Sequence, residues 1–228
     1  MLILKIMQKK FSVKQNFEEK FNAIFSNHDF GHIEYVKYGF HSIDEIEENS
    51  LLFIGLNPSR ITDELPHGEN FYNLKQKGND YPKYWKAFEE FGEATSLTWT
   101  HLDLLVVRET NQEAINDLFR LNNGIDFIYQ QLMISKQIIE AVKPNIIVIA
   151  NTLSRLFIGR MQSNGEKMWI GYKFEFDENY GTDKIVSDGP LKGVPVFFTS
   201  MLNGQRALDW GSKQRLIWHI KRVNELLK

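Results

Sequence analysis

Four apolar runs, at residues 51–56, 102–107, 146–150 and 194–199, limit most strongly what this chain can fold into. Each is short and nearly continuous. None shows the apolar–polar alternation of a strand that faces water on one side. Such runs fit strands covered on both faces, as in a parallel sheet. Helical patterns separate them. One helix is expected over about 81–91, and a second over about 125–142, with Ile125, Ile128, Tyr129, Leu132 and Ile139 on one side. A third begins near Thr152 and carries Leu153, Leu156 and Phe157; the last covers about 212–227. Strands alternating with helices predict an α/β fold, a three-layer α/β/α sandwich around a central four-stranded, mostly parallel sheet. Residues 161–192 are expected to form a hairpin or a long loop before the last strand.

Upstream, Phe17, Phe21, Ile24 and Phe25 fall at helical spacing within 15–27. Residues 33–40 suggest a strand or hairpin arm, and an acidic patch follows at 44–48. Residues 1–47 therefore read as an N-terminal extension, a helix plus a strand or hairpin arm, of one domain over 1–228. A length of 228 residues suits that, with no internal repeat or Pro/Gly-rich linker to divide it. The 17 Phe, 8 Tyr and 5 Trp are enough to fill a core and still line a pocket.

The chain has no cysteine, which excludes disulfides, thiolate zinc sites, iron–sulfur clusters and cysteine nucleophiles. No stretch approaches the roughly 18 consecutive apolar residues of a membrane span. The first residues run apolar and then basic, the reverse of a signal peptide, so a cytoplasmic location is expected. Net charge is −2 and the isoelectric point about 6.3, unlike a chain drawn to nucleic acid by a basic surface. Arg206, Lys213, Arg215, Lys221 and Arg222 could form a local basic face, or simply a solvated side of the last helix.

In open α/β sheets ligands sit beyond the carboxyl ends of the strands. That directs attention to Asn57-Pro58-Ser59, Arg108-Glu109-Thr110, Asn151-Thr152 and residues 200–205. In Gly55-Leu56-Asn57-Pro58-Ser59, glycine permits close approach and proline restricts the asparagine before it to extended conformations. A rigid Asn57 at a strand end results. The same residues also read as an ordinary strand–turn punctuated by Asn-Pro.

This segment resembles the first motif of the uracil-DNA glycosylase superfamily, nearest the Gly-x-Asn-Pro form of its mismatch-specific branch. Gly68-Glu69-Asn70-Phe71 stands where that family has its stacking aromatic. Asn79-Asp80-Tyr81-Pro82-Lys83-Tyr84-Trp85-Lys86-Ala87-Phe88 resembles its helix with a Phe-Trp pair, and residues 143–150 resemble a later strand. The likeness covers about residues 50–226. It implies a uracil-DNA glycosylase-like fold and a monofunctional hydrolase of base excision repair, cutting the N-glycosidic bond of uracil or another damaged or mismatched base in DNA. It also implies that Asn57 positions the water. Gly55, Leu56, Pro58 and Ser59 would surround the base, with Phe71, or else Tyr72, stacking on it. No metal or other cofactor is implied, and a monomer is expected.

The likeness has gaps. The family's His-Pro-Ser or Asn-Pro-Ser motif is replaced by Thr199-Ser200-Met201-Leu202-Asn203-Gly204-Gln205-Arg206. Ser200 and Asn203 remain as candidates to support the leaving group, and Arg206 and Arg108 as phosphate contacts. Asp103 stands near a position where some members carry a base-reading Asn; a carboxylate accepts rather than donates, which changes the base edge that fits. Asp103 could equally be an ordinary strand-end residue. These gaps leave an alternative: a weak or inactive protein of that fold that binds a nucleobase, a nucleotide or a protein partner. His28, Asp29 and His32 could hold a metal but more simply belong to a polar loop. His67 could reach a substrate, whereas His101 and His219 read as structural. Dinucleotide, phosphate-loop, zinc-protease and esterase motifs are missing from the sequence.

Overall fold

The computed structural model describes residues 9–60, 70–74, 82–159, 169–204 and 207–228. In chain order the elements are β1 (Lys10–Ser12), α1 (Val13–Phe25), β2 (Ser42–Ile43), β3 (Glu45–Glu47), β4 (Leu51–Gly55), β5 (Phe71–Tyr72), α2 (Pro82–Thr95), β6 (Trp99–Asp103), α3 (Gln112–Asp117), α4 (Gly124–Val142), β7 (Ile146–Ile149), α5 (Thr152–Ile158), β8 (Phe174–Asp177), β9 (Thr182–Ile185), β10 (Pro195–Phe198) and α6 (Trp210–Leu226). Short 3₁₀ turns lie at His28–Phe30, Glu34–Tyr38 and Leu118–Arg120.

The main sheet has the order β6-β4-β7-β10-β9-β8. β6, β4, β7 and β10 run parallel; β9 and β8 are antiparallel. Three of the four expected runs form strands and the fourth, 102–107, overlaps β6 only at Leu102 and Asp103; among the described residues the sheet has six strands rather than four. The added pair, β8 and β9, is polar on one side (Glu175, Asp177, Lys184), so no apolar run marks it, and charged side chains suit an edge. Leu51, Leu52, Phe53 and Ile54 of β4 are all fully buried, which requires cover on both faces. Phe53 meets Phe88 and Phe91 of α2 edge-on. α2 in turn packs on α6, while α1 packs on α4.

The chain leaves β4 through α2 to reach β6 on one side, then returns through α4 to β7 on the other. β4 is therefore the point where the strand order reverses, and right-handed crossovers leave a crevice beyond its carboxyl end.

Three local expectations are corrected. Residues 33–40 form a 3₁₀ turn, not a strand arm, closed where Gly39 adopts φ 64° and its N–H bonds Val36 O. Ile125 and Tyr129 are 54% and 44% exposed; α4 buries the expected Ile128, Leu132 and Ile139 together with Phe127, Gln131, Ser135 and Ile138, a stripe turned about a quarter of the way round the helix. Residues 102–107 are not one strand, since β6 ends at Asp103. The apolar side chains of residues 13–46 join the same hydrophobic cluster as the sheet.

The early end of β6 has a specific cause. Gln131, fully buried on α4, accepts from the N–H groups of Val106 and Val107 (3.0 and 3.1 Å) and donates to Phe127 O. Ser135 donates to Leu104 O at 2.7 Å. Two polar side chains in an apolar helix face thus satisfy the Val106 and Val107 amides and the Leu104 carbonyl, while the Leu104 and Leu105 amides still bond Gly55 O and Leu56 O. Gln131→Leu leaves two buried amides without acceptors and is expected to cost about 2–4 kcal/mol, read as a lower denaturation midpoint.

Candidate functional site

A cavity of about 150 Å³ opens beyond the carboxyl ends of β4, β6 and β7, enough for roughly one aromatic ring. Its walls include Gly55, Asn57, Tyr84, Phe88, His101, Asp103, Glu109, Asn151 and Asn203.

Gly55 is the floor. It pairs with Asp103 across the β4–β6 ladder. A Cβ on Gly55 would lie 2.1 Å from Asp103 Oδ1 and 3.1 Å from His101 Nε2, so only glycine admits both side chains here. Asn57 follows. Its Nδ2 donates to Glu109 O (2.6 Å), Pro58 O (3.2 Å) and Val107 O (3.3 Å). The amide is thereby oriented, and among the described residues no donor reaches Oδ1. The facing loop is held in return: Glu109 N–H bonds Pro58 O, and Thr110 Oγ1 donates to Arg60 O. Glu109 is buried, with Oε1 accepting from Asn111 N–H and Oε2 3.7 Å from Arg60 Nη2. The Arg60 guanidinium also lies over the Tyr38 ring.

His101 and Asp103 are two residues apart on one strand and so share a face. Nε2 of His101 is 3.8 Å from Asp103 Oδ1. The imidazole meets Trp85 and Phe88 edge-on, and its buried Nδ1 has no hydrogen-bond partner among the described residues. Burial pushes the Asp103 carboxyl up to about 7 and the His101 imidazole down to about 4. Both groups resist charge because little water reaches them. Asn151 caps α5: its Oδ1 accepts from Leu153 N–H (2.8 Å) and Ser154 N–H (3.4 Å). Asn203 donates through Nδ2 to Tyr84 O, tying the loop after β10 to α2.

The structure brings Gly55, Leu56, Asn57, Ser59, Asp103 and Asn203 to the cavity. Other expected site residues lie elsewhere. Pro58 takes part through its carbonyl. Phe71 is 4% exposed and packs against Phe21 and Phe40. Tyr72 is buried and stacks on His41 at 4.9 Å. Arg108 turns inward, donating to Phe40 O and lying 3.1 Å from His41 Nδ1. Ser200 is exposed and does not line the cavity. Arg206, with His67, Gly68, Glu69, residues 79–81 and Gln205, lies outside the described residues. His28 and Asp29 are exposed, and His32 Nε2 sits 2.9 Å from Asn122 O. Among the described residues no group of three or more His, Cys, Asp or Glu could hold a metal, and no helix is long and apolar enough to cross a membrane.

Sequence reasoning passed over His101, Tyr84 and Phe88 as cavity residues. It marked Glu109 and Asn151 only by position, through the rule that strand ends carry function. The two-residue spacing of His101 and Asp103 was an available signal. No family model matches the chain, and no match was found among curated proteins.

The two titrations oppose each other in stability. Asp103 holds its proton to a higher pH in the fold than in the unfolded chain, so it costs stability as pH rises from about 4 to about 7. His101 protonates less readily in the fold, so it costs stability as pH falls from 6.5 to about 4. Asp103→Asn removes the first cost alone. The variant is expected to be more stable than the parent at pH 8, by up to about 4 kcal/mol. Thermal melts from pH 8 to 4 should show the gain shrinking to nothing; a gain independent of pH would contradict the buried carboxyl.

Proposed function

We propose that the chain is a glycosylase that hydrolyses the N-glycosidic bond of a damaged or mismatched base in DNA, with the uracil-DNA glycosylase-like fold its sequence resembles. The observation that carries this reading is Asn57: a side-chain amide fixed by three carbonyls, its Oδ1 open at the rim of a ring-sized cavity. In this mechanism a flipped base enters the cavity against Tyr84 and Phe88. Asn57 Oδ1 accepts from the attacking water and aims it at the sugar carbon. The C–N bond breaks with its electron pair leaving on the base, and the sugar passes through an oxocarbenium-like state. Water adds to that carbon and its proton is lost to solvent. An amide cannot take the proton, so turnover is slow. Asp103 contacts the base edge, accepting when ionised and donating when protonated.

A second reading is binding without catalysis. It is favoured by the lining itself, which includes two acids, Asp103 and Glu109, and no Lys or Arg among its described residues. Such a cavity suits a neutral or cationic ring better than a phosphate.

Strand cleavage distinguishes the two. Protein at low salt is incubated with oligonucleotides carrying uracil, mismatched thymine, hypoxanthine or ethenocytosine, then treated with alkali. One substrate is expected to be cut, with Asn57→Ala lowering the rate by about 10²-fold or more. No cutting by folded protein would favour the binding reading, and an unchanged rate in Asn57→Ala would remove Asn57 from its role.

A further inference from the structure

The cavity holds a second oriented amide. Asn151 is 7% exposed, and its Oδ1 is committed to two backbone N–H groups of α5. That fixes which end of the amide faces away from the helix. Nδ2 has no partner among the described residues, yet is not sealed from solvent, and Asn151 lines the cavity. The remaining surface is therefore a donor. The contact lies in the side chain, since the cap already uses the helix's first N–H groups.

Across the cavity stands Asp103. β6 and β7 flank β4 on either side, so their ends are about 9–10 Å apart. Register sets Gly55 level with Asp103, and Ile54 level with Ile149. Ala150 is therefore level with Gly55 and Asp103, and Asn151 stands one residue beyond them; Asp103 and Asn151 both line the cavity above Gly55. One planar ring in that cavity meets an acceptor at Asp103 and a donor at Asn151.

Resting on the reading of this cavity as a nucleobase site, we propose that Asn151 is a specificity residue, its Nδ2 donating to a carbonyl of a planar heterocycle held over Gly55, with a ring N–H on Asp103. A ring that presents an amino group to Asn151 sets donor against donor and is disfavoured.

The test uses Asn151→Asp. Aspartate caps a helix as well as asparagine does, so the fold is kept while the donor becomes an acceptor. Binding of free uracil and free cytosine is titrated by NMR on the full chain. The parent protein is expected to prefer uracil by about fivefold or more, the worth of one hydrogen bond, and Asn151→Asp to lose that preference with its thermal midpoint retained. Asn151→Ser, which also caps but lacks the amide, should lose it too. An unchanged preference in both variants, or no binding of either base by the parent, overturns the proposal. Because the titration needs no turnover, the two readings fail separately. A parent that prefers uracil but cuts no oligonucleotide sinks the glycosylase reading alone. One that cuts, with Asn151→Asp preferring uracil unchanged, sinks only the role of Asn151.

Discussion

The cavity depends on a carboxyl group lodged where a side chain of the neighbouring strand would otherwise be. Asp103 fits against β4 only because residue 55 has no Cβ; a methyl there would fall 2.1 Å from the carboxylate oxygen. Ladder register makes this a fixed relation, since Gly55 and Asp103 are paired partners and the other four residues of β4 are fully buried. The carboxyl is thus held in a dry place with a neutral imidazole beside it. A group that resists ionisation close to neutral pH can switch between accepting and donating a hydrogen bond, and such groups cluster at functional sites. The arrangement costs stability, and the fold keeps it where the strand order reverses and a ligand can reach it.

A chain of backbone satisfaction links that position to the distant helix. Gln131 and Ser135 of α4 take the Val106 and Val107 amides and the Leu104 carbonyl, whereas the Leu104 and Leu105 amides still bond Gly55 O and Leu56 O. Beyond Leu105 the segment leaves the ladder. There the carbonyls of Val107 and Glu109 receive the Asn57 amide. The orientation of Asn57 therefore originates in two polar side chains on the buried face of a helix. A hydrophobic residue at either place would keep the helix amphipathic and remove the support of the site.

Much of this frame was legible in the sequence, and the reasons differ by element. Strands β4, β7 and β10 announce themselves because burial on both faces demands consecutive apolar residues. The rule that ligands gather at strand ends then marks Asn57, Glu109 and Asn151 without further information. The hairpin of β8 and β9 is one of the two forms expected for residues 161–192, but its place at the edge of the main sheet was not marked, because an edge hairpin tolerates charge. Phe71 shows a different limit. Its place in the order of motifs suggested a stacking ring, but α1 and the segment before β2 supply Phe21 and Phe40 to cover it. That contact joins residues thirty or more positions apart, which no local pattern reveals. Arg108 is similar: its cationic head is taken by Phe40 O beside His41, a satisfied internal position that spacing alone does not disclose.

The acidity of the cavity bears on how a polyanion could use it. On the proposed reading a flipped base carries no phosphate into the pocket, so Asp103 need not repel it, while the Glu109 carboxylate is already engaged by Asn111 N–H and Arg60. The flanking phosphates would then meet cations outside the lining, which holds no Lys or Arg among its described residues. On α6 some of that charge is already engaged: Lys213 pairs with Glu90, and Arg222 with Glu225 at 3.3 Å. The exposed Arg222–Glu225 pair is weak and exchanges readily, so it does not block a phosphate but lowers the gain from meeting one. A ring bound there would be recognised through the polar groups of the lining, Asp103 and Asn151, with backbone attraction a smaller contribution. This balance favours a ligand chosen by the pattern of donors and acceptors on its edge.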